Sequence, residues 1–357
     1  MNKCSLCKST LIKSQINFPT FRHYDFKTVS KKTTLSFCNK CKIFYSLKKH
    51  YIHERKIFNS KNYADTQKFF SRKIFNNKNN KRFLSRVDTQ IEILKDKLKQ
   101  SASILEVGCN NGELLYKIKK EFKNLSIFGS DTEIFKKFYR KSGINFISST
   151  NQNKISRLKF DVIIFSQSIY YLNPKIILKY LNLLNFKGTI YIEIPNFNVN
   201  PYSILMSDVC FVPFVESIKN ILSLANLKMK ILKNTDLRRE IVIIAKKKIF
   251  KNKKENINLN KYLKILNASK KRTLNLDNLR KDYLVFGNTC KAAFIDEISS
   301  NCKSFVTNYP VLKKFRNKKN LKMKNNIKDI IIFPDKRILN NQKKLKLITK
   351  KTKFKVI

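Results

Sequence analysis

Tryptophan is absent from these 357 residues, and histidine (3), glycine (6) and proline (7) are scarce. No run of about 18 uncharged apolar residues is present, which excludes a membrane-spanning helix. The opening MNKCSLCKST lacks the apolar core and small-residue cleavage site of a secretory leader. A soluble, cytoplasmic protein is therefore expected. No self-similarity at a solenoid period occurs, which excludes a repeat array. Acids are few, 24 against 76 Lys and Arg, for a formal net charge of +52. Such an excess ordinarily points to nucleic acid, because clustered cations neutralise phosphates and release counterions. Here Lys, Asn, Ile and Phe are raised together while Ala and Gly are depleted, as an AT-rich coding sequence would produce. The basic residues are also spread along the whole chain, so compositional drift with solvated lysines accounts for the charge better than a polyanion partner.

Hydrophobic residues make up 42% of the chain, enough for a sizeable core, and its length exceeds what one core usually serves. Four segments are expected: a cysteine-bearing module over 1–60, a polar helical connector over 61–100, an α/β domain over 101–250, and a small α/β unit over 251–357. In the third, SILEVG (103–108), SIFGSD (126–131), DVIIFS (161–166), TIYIEIP (189–195) and EIVIIAKK (240–247) read as buried strands. They alternate with helical patterns at ELLYKIKKEF, IFKKFYRKSG, PKIILKYLNLL and VESIKNILSLANL. That alternation predicts βαβ units and a mostly parallel sheet. After a lysine- and asparagine-rich linker, YLVFG (283–287), NTCKAAFIDEI, DIIIFP and the final FKVI repeat the pattern on a smaller scale.

The segment ILEVGCNNGELL (104–115) is a hydrophobic strand that breaks into a glycine-bearing turn and opens a helix. Gly108 allows a sharp turn at the strand's carboxyl end, and Gly112 allows close backbone approach to a ligand. A dinucleotide site would also want glycine at 110, completing the GxGxxG cradle for a pyrophosphate, but Asn110 stands there. A phosphate-free cofactor has no such need. Asp131 ends the next strand, where a carboxylate can accept hydrogen bonds from both ribose hydroxyls of an adenosine.

Cys4-x-x-Cys7 and Cys38-x-x-Cys41 form two CxxC pairs in a chain expected in a reducing compartment, so a metal is a better reading than disulfides. Four thiolates saturate Zn²⁺ and leave no open position, which makes the ion structural. His50 and His53 are alternatives only if a cysteine fails.

Residues 103–247 resemble a class I S-adenosylmethionine-dependent methyltransferase. LEVGCNNG is similar to that family's first motif, and FDVIIFSQSIYYLNPKIILKYLNLLNFKGTIYIEIPN to its fourth- and fifth-strand region, with Gly188 as a turn glycine before a strand ending at Pro195. The resemblance implies a Rossmann-like fold with Glu106, Gly108, Asn110 and Gly112 beside the cofactor, Asp131 at the ribose, and Ser166 and Gln167 facing the reaction centre. With the cysteine module ahead and the α/β tail behind, the chain resembles the zinc-containing C-methyltransferases of nucleotide-linked deoxysugars. NYADTQKFF (62–70) is similar to their Tyr-Ser-Asp segment, which implies Tyr63 as an acid or base at the substrate, and VFGNTCKAAFI is similar to the glycine turn of their tail. Two histidines of that family are replaced, one by Tyr171 and one by Val209 of the Asp208-Val209 pair. Tyr171 and Asp208 are then the remaining candidates for proton transfer. The expected function is methyl transfer to a small acceptor, most naturally a nucleotide-activated sugar or glycan precursor, at carbon or oxygen. An RNA methyltransferase would need a localised basic face and a base-holding Asn-Pro-Pro-Tyr-type motif, of which only Ile-Pro-Asn (194–196) is present. A binding protein that has kept the fold and lost the chemistry is the third alternative.

Overall fold

The computed structural model describes residues 3–22, 27–46, 52, 56, 60, 74–76, 83–233, 235, 237, 239–248, 254–277, 283–286, 290–299, 302–306, 330–333 and 354–356. The chain divides into two compact units, each assembled from separated segments. The first takes Met1–Ser14, Leu35–Asn196 and Asp208–Ile257, the second Gln15–Thr34, Phe197–Ser207 and Asn258–Ile357.

Near the start of the first unit, β1 (Thr33–Cys38) and β2 (Ile43–Ser46) form an antiparallel hairpin with Cys38 opposite Ile43. A second hairpin, β3 (Ile74–Asn76) with β4 (Phe83–Ser85), lies where a helical connector was expected, and only then does α1 (Arg86–Leu94) begin. The chain continues through β5 (Ser103–Val107), α2 (Glu113–Glu121), β6 (Ser126–Asp131), β7 (Asn145–Ser148), β8 (Phe160–Ser166), α3 (Pro174–Leu181), β9 (Leu184–Pro195), α4 (Val215–Leu224), β10 (Leu227–Leu232) and β11 (Glu240–Lys247). These seven strands form one sheet in the order β7-β6-β5-β8-β9-β11-β10. All neighbours are parallel except at one edge, where β11 runs antiparallel to both β9 and β10.

A parallel sheet is covered on both faces, so its strands must be apolar almost throughout. Ile104 to Val107 of β5 and Val162 to Phe165 of β8 are all buried. One face carries Ile104, Val162, Ile164, Tyr191 and Val242 against Ile91 and Leu94 of α1 and Leu115 and Ile118 of α2. The other carries Leu105, Ile163, Phe165, Ile192 and Ile243 against Ile177 and Leu181 of α3 and Ile218 and Ile221 of α4. Helix α3 starts where it does because the Asn173 side chain accepts a hydrogen bond from the Lys175 amide (2.9 Å) and Pro174 occupies the first helical turn.

Several elements differ from expectation. β9 starts five residues before the predicted Thr189, because Leu184 already pairs with Phe160. Gly188 therefore lies inside the strand's bounds, in an irregular stretch where the register shifts, just before regular pairing resumes at Thr189. Residues Glu133–Tyr139 form a 3₁₀ helix rather than an α-helix. β7 and β10 went unread. β10 (LKMKIL) is an edge strand, and its lysines are a usual guard against pairing with another chain.

In the second unit, α5 (Leu259–Asp277) leads to β12 (Tyr283–Phe286), α6 (Cys290–Ile298), β13 (Cys302–Val306), β14 (Ile330–Phe333) and β15 (Phe354–Val356). The strands form a parallel sheet in the order β13-β12-β14-β15. Phe294 of α6 packs against Phe18 (centroids 5.9 Å apart) and Tyr202 (5.1 Å), joining the unit's three segments in one aromatic cluster. Among the described residues, no helix is long and apolar enough to cross a membrane.

Candidate active site

The turn after β5 sits at the carboxyl ends of the central strands, where open α/β sheets bind ligands. Gly108 (φ 78°) and Gly112 (φ 81°) both adopt the left-handed region, and so does Asn110 between them (φ 48°). Each glycine is required by a neighbour within the protein. A Cβ at Gly108 would lie 2.4 Å from the Cβ of Ser168, and one at Gly112 would lie 2.8 Å from the Tyr139 ring. Ser168 stays in place by donating to the Val107 carbonyl, and the Gly108 amide donates to the Ser130 carbonyl at 2.7 Å. The close approach seen at Gly112 is to the Tyr139 side chain.

Asp131 ends β6 as expected and reaches back to the turn. One carboxylate oxygen accepts from the Asn110 amide (2.8 Å), the other from the Thr132 amide (2.7 Å). Glu106, one strand over, is buried at 5% exposure, and its Oε2 has no hydrogen-bond partner among the described residues; the same holds for the hydroxyl of Thr132. Burial above all, then repulsion from Asp131, holds the Glu106 carboxyl well above the ordinary carboxylate range. Orphaned buried polar atoms are rare in native proteins. Two of them flanking a glycine turn suit a ligand that offers both donors and acceptors.

Ser166 ends β8 directly opposite Glu193 of β9. Glu193 is fully buried, and its Oε2 accepts from Arg86 (2.5 Å), Gln90 (2.7 Å) and Ser166 (2.9 Å). Burial alone would weaken the charge on Arg86, but the adjacent Glu193 outweighs it and raises the guanidinium further. Glu193 Oε1, Arg86 Nε and the Tyr191 hydroxyl are also without hydrogen-bond partners among the described residues. Gln167, with φ 57°, folds the chain over β9, its amide meeting the Glu193 carbonyl at 3.3 Å. Its side-chain oxygen accepts from Tyr170, not from Tyr171 (2.6 Å). The Tyr171 ring lies tilted against Tyr170, centroids 4.6 Å apart, and packs against the core. Asp208 is buried close enough to Tyr170 that, after burial itself, it is the main cause of that phenol's raised pKa. Tyr170 therefore stays protonated and serves as a donor. Tyr63 lies outside the described residues.

The four cysteines come together. Their sulfurs all lie within 4.8 Å of one another, with Cys7 and Cys38 at 3.5 Å, and three of the four are buried. Tetrahedral Zn²⁺ with Zn–S near 2.3 Å needs sulfurs about 3.8 Å apart, so the donor set fits the ion. Both CxxC turns are built alike. The Lys8 amide donates to the Cys4 carbonyl and the Lys42 amide to the Cys38 carbonyl, and both lysines are left-handed (φ 62° and 55°). Burial pushes the Cys38 thiol up to about 11 and Cys41 further still, while the Ser9 hydrogen bonds outweigh burial at Cys7 and lower it to about 6. The protein alone does not sustain four thiolates here; a dication would supply the charge they require.

Some residues of the site had a readable signal and others none. Arg86 and Gln90 are four residues apart on one helix face, and Glu193 is an acid inside an apolar strand, so both were open to notice. Nothing in the sequence singles out Tyr139.

The family model for methionine biosynthesis protein MetW matches residues 86–217. No curated protein matches the sequence. Among solved structures, an O-methyltransferase family protein from Burkholderia thailandensis is similar at 11% identity and a TM-score of 0.37, over 46% of this chain and 58% of that one. Human N-acetylserotonin methyltransferase in complex with SAM is similar at 11% identity and 0.42, over 54% and 58%. A S-adenosylmethionine-dependent methyltransferase from Clostridium acetobutylicum is similar at 16% and 0.34, over 45% and 90%. The chain thus spans little more than half the length of the first two. Likeness at this level carries nothing about substrate. Taken on its own architecture, the first unit is a mixed α/β assembly on a seven-stranded, Rossmann-like sheet.

Proposed function

We propose that the protein transfers a methyl group from S-adenosylmethionine to a small acceptor. The observation that carries this reading is the turn at the end of β5. It is a nucleotide-site turn without the middle glycine a pyrophosphate would need, with a carboxylate at the end of the neighbouring strand and orphaned polar atoms beside it. The match over residues 86–217 supports it.

Within this reading, Asp131 orients the ribose hydroxyls, and the turn from Gly108 to Gly112 shapes the wall along the methionine part. Glu106, kept neutral by burial, offers a hydrogen-bond donor. S-adenosylmethionine, when bound, supplies an activated methyl group, so positioning of the acceptor carries much of the rate. Ser166 and Gln167 border the acceptor, and Asp208, Tyr171 and Tyr63 are the groups we assign to acceptor binding and proton removal. A nucleotide-activated sugar or glycan precursor, methylated at carbon or oxygen, is the acceptor class we favour, on the resemblance of the cysteine module and of residues 62–70 to the nucleotide-sugar enzymes. The methyltransferase domain we assign to 101–250, and structural Zn²⁺ to Cys4, Cys7, Cys38 and Cys41.

Calorimetric titration with S-adenosylhomocysteine, with NAD⁺ as the control, tests the reading. Micromolar binding of the former alone is expected, and Gly108→Arg, which drives a side chain into Ser168, should abolish it. Wild-type protein that ignores S-adenosylhomocysteine overturns the proposal.

A further inference from the structure

The turn has a weak point of its own making. Where a glycine would adopt the left-handed region freely, Asn110 occupies it at φ 48°, against the steric preference of an L-residue, though Asn tolerates it better than most. The preceding peptide is held by Asp131, which takes the Asn110 amide. The other side is held by Tyr139, whose hydroxyl lies 3.1 Å from both the Cys109 and the Asn110 carbonyl oxygens. Its ring fills the space beside Gly112, between Tyr116 (6.3 Å, stacked) and Phe146 (5.0 Å). Burial first, and then Cys109 and Glu106, keep the phenol protonated at any working pH, so the donor is always available.

We propose that Tyr139 is a positioning residue for the cofactor: its hydroxyl clamps the Cys109 and Asn110 carbonyls and holds the turn in its binding conformation in place of the missing glycine. The inference rests on reading this turn as the S-adenosylmethionine site. A core tyrosine that only satisfied its own hydroxyl would sit in the same packing, so the test must separate the two roles.

Tyr139→Phe keeps the ring and removes only the clamp. It should weaken S-adenosylhomocysteine binding about tenfold, the scale of one lost hydrogen bond. Amide exchange at Asn110 and Gly112 should quicken, while Gly108, held by the Ser130 carbonyl, stays protected. In an Asn110→Gly background the same change should cost clearly less affinity, because glycine needs no clamp; a purely structural hydroxyl would cost the same in both backgrounds. Equal affinity of wild type and Tyr139→Phe, or equal cost in both backgrounds, overturns the clamp and leaves the methyltransferase reading standing. Absence of binding by the wild type overturns both together.

Discussion

The cysteine turns and the glycine turn face one problem, a non-glycine residue forced into left-handed backbone, and meet it differently. At Lys8 and Lys42 the backbone is bent so that two CxxC pairs can converge, and the proposed compensation comes from outside, through a bound cation. At Asn110 it comes from within, through Asp131 and Tyr139, both anchored in the core sheet and its flanks. On the zinc reading proposed above, the first region would depend on a ligand for its folding, whereas the second is held by its own side chains. A module with little core of its own would gain its folding energy from such a metal, whereas a turn on a seven-stranded sheet can rely on its neighbours.

Metal removal should break this contrast most sharply. Structural Zn²⁺ contributes roughly 10–16 kcal/mol of apparent binding free energy in small modules. Cys38→Ser or a chelator should therefore lower bound zinc from about one ion per chain to near none by metal analysis, and unfold the module. S-adenosylhomocysteine binding should outlast that loss, since the glycine turn is held by its own side chains. If binding is lost in step with the metal, the two regions are not independent.

Next in size is Arg86→Met. It leaves the Glu193 carboxylate buried and uncompensated, a change that typically costs 3–5 kcal/mol. Thermal unfolding should show the loss, and adding Glu193→Gln should recover much of it.

Glu106→Gln is smaller and depends on pH. The folded carboxyl titrates above its unfolded value of about 4.3, so the folded state retains a proton that the unfolded chain releases. Its penalty is absent below that value and grows as pH rises through the window above it. The variant should thus match wild type near pH 4 and exceed it at pH 7, by about 2–4 °C in Tm for each kcal/mol relieved. A pH-independent difference would mean that Glu106 is ionised in the folded protein.

The smallest effect is expected at Lys42→Gly. Relief of the left-handed strain, roughly 1–2 kcal/mol, is largely offset by the extra freedom glycine gives the unfolded chain, leaving a gain below about 1 kcal/mol in metal-loaded protein. A net loss would show that the Lys42 contacts with Asn39 and Phe37 outweigh the strain.

The regions also differ in how much of them is legible in the chain. CxxC pairs, the GxxxG turn and runs such as DVIIFS announce themselves because spacing and hydrophobicity are local properties. β7 and β10 escaped notice because they are short edge strands, half polar and selected by pairing more than by composition. Gly188 did mark a local irregularity, the shift of register before Thr189, but not the start of the strand, which already pairs at Leu184. At the site, the turn and Asp131 were readable, and the residues that hold them were not. Tyr139 lies 29 positions from Asn110 on a 3₁₀ segment with no pattern of its own, and Tyr170 rather than Tyr171 meets Gln167 because a single 3₁₀ turn decides which ring points inward. Such choices are made by packing between distant segments, which periodicity does not encode.

The chain passes between its two compact units at Ser14, Thr34, Asn196, Ser207 and Ile257. During synthesis, then, the segments 15–34 and 197–207 leave the ribosome long before the strands they belong with. The second unit cannot close until its last strands emerge. A protease cut at any single crossing would not release either unit whole, and neither can be obtained by trimming the gene from one end. For this protein, separating the parts calls for circular permutation or for joining the segments anew.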